Sequence, residues 1–295
     1  MTIKTQALSI HEIGRRANQE DSLYPQRGEE PFSSDLYILC DGMGGHSQGE
    51  VASRTVCERM SSYILSNDMD RSAFTPQMFE EALGAAYDEL DRKDDGSEKR
   101  MGTTLTFLKF HPGGCLLAHI GDSRIYQIRP SEGRIVHRTR DHSLLNDLLS
   151  LGELDEESAK TFGQKNVITR AVQAGQERRT RADISLLTDI RPGDYFYMCS
   201  DGMLEEMDDD DLVRIISMPC DDAAKRETLL RLTQNNKDNH SAHLIRVLSV
   251  GDDPVPSCPK GTGQRAKKKR GAGLWIIIIL LLVILGIGAW MYIAR

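Results

Sequence analysis

Apolar residues recur in short runs separated by turn-forming residues along most of the chain, and such runs predict strands. The clearest runs are residues 36–40, 104–110, 115–120, 124–128, 184–188, 195–199 and 243–250. Stretches with apolar residues at helical spacing predict helices near 50–66, 76–92, 208–217 and 221–236. The strands cluster in the middle and the helices come in pairs beside them. This pattern favours an α+β fold in which two antiparallel sheets pack face to face with helices outside.

The hydrophobic pattern changes at the C-terminus. Residues 274–293 contain no charged side chain, and 20 helical residues span about 30 Å, the hydrocarbon thickness of a bilayer. Trp275, Trp290 and Tyr292 stand near the two ends of this stretch, where aromatic rings meet the headgroup region. A core helix is rarely apolar all round over such a length. The pattern therefore predicts a transmembrane helix.

Basic residues flank the predicted transmembrane helix unequally. Five of them lie in residues 265–270, whereas only Arg295 follows the helix. Because cytoplasmic flanks carry the excess of Lys and Arg, we expect a single-pass protein of the cell inner membrane with a cytoplasmic N-terminal domain. The predicted division is a domain over 1–250, a flexible linker with the basic juxtamembrane cluster over 251–273 and the helix over 274–293. The N-terminus shows no charged and apolar leader, so we expect no cleaved secretory signal.

Charge and cysteine usage narrow the class of protein further. The chain has a net charge of −7, and residues 1–250 alone hold 30 basic against 42 acidic residues, which gives that region about −12. An acidic domain argues against nucleic acid as a partner, because phosphate backbones favour clustered Lys and Arg. The six cysteines form no Cys-x-x-Cys pair, and we expect reduced, buried thiols.

Carboxylates next to glycine or asparagine recur where predicted strands begin or end. Asp41-Gly42 follows residues 36–40, Gly121-Asp122 follows 115–120, and Ser200-Asp201-Gly202 follows 195–199. Two further acidic segments, Glu20-Asp21 and Asp238-Asn239, lie near the two ends of the domain. One Asp-Gly alone is typical of a turn, but the set together favours a binding site. Oxygen-rich ligands with few histidines suit Mg²⁺ or Mn²⁺ rather than Zn²⁺.

The order of these segments resembles the bacterial PP2C-type (PPM) metal-dependent serine/threonine protein phosphatases, over about residues 5–250. Any one motif is weak evidence, and the strength lies in seven of them in the order of the family. They are Arg16-x-Asn-Gln-Glu-Asp, Asp41-Gly-Met-Gly-Gly-His, Met101-Gly-Thr-Thr, Gly121-Asp-Ser-Arg, Asp141-His-Ser, Ser200-Asp-Gly-Met and Asp238-Asn. The resemblance implies a four-layer α-β-β-α sandwich.

The resemblance also implies a centre of two Mn²⁺ or Mg²⁺ ions. It assigns the bridging role to Asp41 and places the carbonyl oxygen of Gly42 on the second ion. Asp201 and Asp238 would hold the first ion. A water between two such ions is acidified towards neutral pH, so the expected reaction is attack of a metal-activated water on the phosphorus of a phosphoester.

Other residues complete the implied centre. Glu20 and Asp21 would surround the second ion, largely through water, and Asp122 with Asp201 matches a third, more weakly held ion of bacterial members.

Two further residues would act on the substrate itself. Arg16, five residues before Asp21, matches the phosphate-binding arginine of the family, whose guanidinium fork fits two phosphate oxygens. The neighbouring Arg15 does not match by spacing and is expected to be a solvated surface residue. Eukaryotic relatives carry a histidine two positions after the bridging aspartate, where this chain has Met43. His46 is therefore the candidate acid for the leaving group, and a metal-bound water is the alternative.

The predicted activity is hydrolysis of phosphoserine and phosphothreonine in proteins, counteracting a bacterial serine/threonine kinase. Residues 143–167 correspond to the family's flap beside the active site, whose length and polarity favour a mobile segment that contributes to substrate choice. Two alternatives remain open. One is a partner-switching phosphatase with one small regulatory protein as substrate, and the other is a catalytically inactive scaffold that binds phosphoproteins.

Overall fold

The structure is a computed structural model, and it describes residues 2–30, 32–44, 48–67, 74–96, 100–164 and 167–251. The strands are β1 Ile3–Glu12, β2 Asp21–Tyr24, β3 Leu36–Met43, β4 Gly102–Thr103, β5 Leu105–His111, β6 Gly114–Ile120, β7 Arg124–Arg129, β8 Arg134–Arg138, β9 Val172–Gln173, β10 Asp183–Leu187, β11 Tyr195–Cys199 and β12 His240–Val250. The helices are α1 Gln48–Asn67, α2 Pro76–Lys93, α3 Leu144–Leu151, α4 Glu156–Thr161, α5 Asp209–Ile216 and α6 Asp222–Thr233, and a 3₁₀ turn covers Asp201–Leu204.

The strands form two antiparallel sheets. The first sheet has the order β1-β12-β11-β7-β8, and the second has the order β10-β6-β5-β3-β4-β9, with β2 also paired to β3. The first and last strands of the domain are therefore neighbours, and the ladder between β1 and β12 runs from Ile3 opposite Val250 to Glu12 opposite His240. This pairing brings the first and last acidic segments of the domain together.

Three layers of buried apolar side chains hold the sheets and helices together. The central layer lies between the two sheets and includes Tyr37 and Leu117 from the second sheet with Phe196 and Ile245 from the first. One outer layer joins the second sheet to α1 and α2, and the other joins the first sheet to α5 and α6. The fold is therefore the expected sandwich of two sheets with helices on both outer faces.

The helices begin where the sequence supplies N-caps. Thr75 precedes α2 and accepts a hydrogen bond from the backbone N–H of Met78 at 3.3 Å, with Pro76 at the first helical position. Asp221 caps α6 through the N–H of Ala224 at 2.8 Å. Such caps satisfy N–H groups that have no partner within the helix.

The structure corrects the predicted strands at several places. β1, β2, β8 and the short strands β4 and β9 were not predicted, and the last strand begins at His240 rather than at residue 243. Polar side chains at the start of β12 are buried because they find partners on β1. Ser241 Oγ lies 2.9 Å from His11 Nδ1, and His243 Nδ1 lies 2.9 Å from Ser9 Oγ.

The C-terminal predictions lie outside the described residues. Neither the linker beyond residue 251 nor the predicted transmembrane helix over 274–293 is described. Within the part of the chain that is described, none of the helices combines the length and the apolar character needed to span a bilayer.

Candidate metal centre

The predicted carboxylates converge where the two sheets meet. Asp21 begins β2 and stands opposite Asp41 in β3 of the second sheet. Asp201 begins the 3₁₀ turn after β11 of the first sheet, and Asp238 lies two residues before β12. Asp122 follows β6, and the charges of all four other residues act on Asp41. The structure therefore brings these five aspartates, which are distant in sequence, close together.

Burial and mutual repulsion oppose ionisation of these carboxyl groups in the absence of cations. Burial, followed by the charges of Asp21 and Asp201, raises the pKa of Asp41 well above its usual range. Burial also raises the pKa of Asp21 and that of Asp122 to about 7, and the charge of Asp201 adds to both shifts. The pKa of Asp201 is raised by burial and by the charge of Asp238, and its carboxyl group lies within hydrogen-bonding reach of Asp41. Buried like charges of this kind favour a bound cation or a proton.

The donor set fits divalent metal ions that prefer oxygen. The Oδ1 atoms of Asp21 and Asp122 are buried and have no hydrogen-bond partner. A buried carboxylate oxygen without a partner is costly, and a metal ion would supply what is missing. Carboxylate oxygens without histidine are the ligands typical of Mg²⁺ and Mn²⁺.

A tight backbone contact fixes the position of Gly42, the residue predicted to offer its carbonyl oxygen. Its N–H donates to the carbonyl oxygen of Glu20 at 3.0 Å. A Cβ atom at Gly42 would lie 2.1 Å from the carbonyl oxygen of Gly49 in α1 and 2.7 Å from that of Glu20. Only glycine fits here, and its absence of a side chain lets α1 approach the end of β3.

Two threonines hold the backbone of Asp41 from behind. Thr103 Oγ1 donates to the carbonyl oxygen of Asp41 at 2.9 Å, and the N–H of Asp41 donates to Thr104 Oγ1 at 3.0 Å. Thr104 also contacts Ser123 Oγ at 2.8 Å, beside Asp122. The Met101-Gly-Thr-Thr segment therefore positions carboxylates through hydrogen bonds.

Asn239 connects the first and last acidic segments. Its Oδ1 accepts from the N–H of Glu20 at 2.8 Å, and its Nδ2 donates to the carbonyl oxygens of Ile13 and Asn18 at 2.9 and 3.0 Å. The amide of Asn239 therefore ties the loop that carries Glu20 to the start of β12. Ser200 makes a similar link, since its hydroxyl donates to Asp21 Oδ2 at 3.0 Å.

Glu205 is a site residue that sequence reasoning missed. Its two carboxylate oxygens accept from the N–H groups of Lys237 and Asp238 at 2.8 and 3.1 Å. These bonds hold the backbone that presents Asp238. Glu205 lies outside the recognised motifs, just after the 3₁₀ turn, and only its proximity to Asp201 in the chain could have suggested it.

Arg16 lies at the edge of the carboxylate cluster. Its Nη2 donates to Asp238 Oδ2 at 2.6 Å, and this bond raises the pKa of Arg16. The charges of Glu20 and Asp41 also act on it. Arg15 is exposed, and its backbone N–H donates to the carbonyl oxygen of Lys237 at 3.1 Å. The candidate acid His46 lies outside the described residues.

The flap segment contains two helices that the sequence did not predict. Ser143 caps α3 through the N–H of Asn146 at 3.3 Å and forms an isolated β-bridge with Ile168, so the two ends of the flap lie side by side. Beside it, Arg124 binds Asp141 through two parallel hydrogen bonds of 2.7 Å. This bidentate pair fixes the start of the flap next to Asp122.

Comparisons with known proteins identify the family. The family model described as Protein phosphatase 2C matches residues 13–249. The protein phosphatase PhpP of Streptococcus pneumoniae is 32% identical over 236 residues, which cover 79% of this chain and 93% of that relative.

Solved structures share the fold. The serine/threonine phosphatase PstP/Ppp of Mycobacterium tuberculosis has a TM-score of 0.69 at 27% identity and covers 83% of this chain and 99% of its own. The catalytic domain of PstP in complex with two manganese ions has a TM-score of 0.66 at 27% identity and the same coverage. With this fold and the family model spanning most of its length, the chain belongs to the protein phosphatase 2C family.

Proposed function

We propose that this chain hydrolyses phosphoserine and phosphothreonine in proteins and depends on divalent metal ions. The observation that carries the proposal is a cluster of four aspartates, with Arg16 at its open edge. Asp21 and Asp122 are buried, and Asp41 and Asp201 are half-buried. The names of the relatives support it, since PhpP is a protein phosphatase and PstP a serine/threonine protein phosphatase.

The carboxylates are proposed to hold two Mn²⁺ or Mg²⁺ ions. Asp41 would bridge them, because the other aspartates surround it. Asp201 and Asp238 would serve the first ion, and the Gly42 carbonyl oxygen would serve the second. When bound, such ions acidify a water between them and so supply a hydroxide nucleophile near neutral pH.

Two acidic segments would complete the coordination. The carbonyl oxygen of Glu20 accepts from the N–H of Gly42, and Asp21 stands opposite Asp41. Glu20 and Asp21 would surround the second ion, largely through water. Asp122 and Asp201 would form the third, weaker site, since the charge of Asp201 acts on Asp122 and raises its pKa. The complex of PstP with two manganese ions supports Mn²⁺ as a ligand of this fold.

Arg16 is proposed to bind the phosphate of the substrate. In the structure its guanidinium is paired with Asp238, and its side chain is 54% exposed, so it is open to a ligand from solvent. A guanidinium fork offers two parallel hydrogen bonds to phosphate oxygens and neutralises part of their charge. His46 is proposed to donate the proton that the departing serine or threonine oxygen requires.

The cellular setting is also a proposal. Residues 251–273 would tether the domain to a transmembrane helix over 274–293, and the basic cluster would keep the domain on the cytoplasmic side of the inner membrane. A cognate serine/threonine kinase would phosphorylate the same proteins. Protease treatment of intact spheroplasts tests the topology, because digestion of the domain from outside would refute it.

Phosphate release from a phosphothreonine peptide tests the function. We expect the full chain in mild detergent to release phosphate with Mn²⁺ and to stop with EDTA. The Asp41→Asn variant should be inactive even with Mn²⁺. The control is Asp210→Asn, which changes an exposed acid on α5 and should keep the Mn²⁺-dependent activity. Binding of the phosphopeptide without hydrolysis would instead favour the inactive scaffold.

A further inference from the structure

A groove runs from the carboxylate cluster towards the flap. It encloses about 530 Å³, and its lining includes Asp122, Asp201 and Asp238. The lining also includes Arg138, the last residue of β8, and Arg140, which lies between β8 and α3. A volume of this size is in the range of ligand sites. The groove is therefore placed to hold substrate residues that flank the phosphorylated one.

The positive charges in this groove differ in their partners. Arg124 is bound in a bidentate manner by Asp141, and Arg138 is paired with Asp209. Arg140 has no carboxylate partner within the described part of the chain, and its Nη2 donates to the carbonyl oxygen of Asn146 at 2.9 Å. Arg140 is thus an uncompensated cation at the rim of a groove in a domain that is acidic overall.

The backbone around Arg140 is held firmly. Its carbonyl oxygen lies 2.8 Å from Nε2 of the buried His119. The next carbonyl oxygen, that of Asp141, accepts from Asn146 Nδ2 at 2.9 Å. These bonds connect Arg140 to the first turn of α3 and to the strand that precedes Asp122. The backbone of Arg140 is therefore fixed, and the bond from its Nη2 to the carbonyl oxygen of Asn146 holds the guanidinium against the same turn.

We infer that Arg140 makes this phosphatase prefer substrates with an anionic group beside the phosphorylated serine or threonine. The inference rests on the proposed function, because it names the substrate class of that same site. The anionic group would be the carboxylate of Asp or Glu or a second phosphate, since a guanidinium fork binds both in the same bidentate way. Arg140 is a specificity-determining residue in this scheme and takes no part in the hydrolytic step.

The test compares kcat/KM for matched phosphothreonine peptides with the full chain and Mn²⁺. The peptides differ at the flanking positions, which carry alanine, aspartate, lysine or a second phosphothreonine, and mass spectrometry locates each phosphate lost. We expect the aspartate peptide to exceed the alanine peptide about threefold to fivefold, because exposed ion pairs are weak. The doubly phosphorylated peptide distinguishes a preference for phosphate from one for carboxylate.

Charge variants of Arg140 decide the assignment. Arg140→Gln should bring the aspartate-to-alanine ratio close to one, Arg140→Lys should retain part of it, and Arg140→Glu should favour the lysine peptide. Arg134→Gln is the matched control, since Arg134 is an exposed arginine of β8 paired with Glu132 away from the groove, and it should keep the wild-type ratio.

Three results would overturn the inference. A wild-type enzyme that hydrolyses all four peptides equally, or an Arg140→Gln variant that retains the preference, would refute it and leave the proposed function intact. Failure of the wild-type enzyme to hydrolyse any of the peptides would refute the proposed function and the inference together.

Discussion

Asp21 should make the metal-free protein less stable as the pH rises. An unfolded chain loses this proton near pH 4, at the ordinary value of an aspartate. The folded protein holds it up to a pKa of about 7, because burial and the charges of Asp201 and Asp238 oppose ionisation. Between these values the folded state binds more protons than the unfolded state, so the free energy of unfolding falls as the pH increases and levels off above about pH 7.

The size of this effect follows from the pKa shift. A rise in the pKa of Asp21 from near 4 in the unfolded chain to about 7 in the folded protein corresponds to about 4 kcal/mol of stability. For a domain of this length, each kcal/mol moves Tm by about 2–4 °C, so Asp21 accounts for a fall of about 8–16 °C between pH 4 and pH 8. The substitution Asp21→Asn should remove this share of the fall, because an amide oxygen can still accept the hydrogen bond from Ser200.

Thermal melts in EDTA from pH 4 to pH 8 provide the assay. Adding Mn²⁺ at about 100 times its Kd should stabilise the wild-type protein by about 2.7 kcal/mol and the Asp21→Asn variant by less. The control is Asp210→Asn, which changes an exposed acid and should follow the wild-type curve. If Asp21→Asn lost stability with pH as steeply as the wild-type protein, the electrostatic account of the cluster would be wrong.

Three further predictions concern catalysis, substrate binding and stability. Asp41→Asn should lower kcat on p-nitrophenyl phosphate at least a hundredfold at any Mn²⁺ concentration, and a wild-type rate would contradict its bridging role. Arg16→Ala should raise KM for the same substrate about tenfold, which corresponds to about 1.4 kcal/mol, the size of one charged hydrogen bond. Arg15→Ala should leave KM unchanged, and equal behaviour of the two variants would contradict phosphate binding by Arg16. Arg129, 1% exposed and bonded to the equally buried Asp194 at 2.8 Å, should lose about 3–5 kcal/mol of stability on Arg129→Ala, and an unchanged Tm in thermal melts would contradict that pairing.

The carboxylate cluster could be predicted from the sequence because several of its members stand at the ends of apolar runs. A run such as residues 195–199 is recognisable as a buried strand. Asp201-Gly202 can then be placed just beyond the end of that strand. β1 gave a weaker signal, since its buried positions include Thr5 and Ser9. Their partners lie on distant parts of the chain, so their burial cannot be read from local hydropathy.

The remaining misses have the same physical cause. Glu205 accepts hydrogen bonds from the backbone N–H groups of Lys237 and Asp238, 32 and 33 residues away. No local sequence pattern predicts such a contact. The buried pair of Arg129 and Asp194 joins residues 65 apart, and in the sequence each resembles an ordinary surface charge. The roles of these residues are set by hydrogen bonds between distant parts of the chain and not by local secondary-structure propensity.

The pairing of β1 with β12 has a consequence for how the protein is made. Arg16 and Asp238 lie 222 residues apart, and among the described strands of the first sheet β1 pairs only with β12. During synthesis, β1 can pair with β12 only after β12 has left the ribosome, because contacts so distant in sequence form only once the intervening chain has been made. Until β12 has been made, the nascent chain lacks the Asp238 member of the carboxylate cluster. The cluster is therefore complete only once residues 238–250 have been synthesised and β12 has paired with β1.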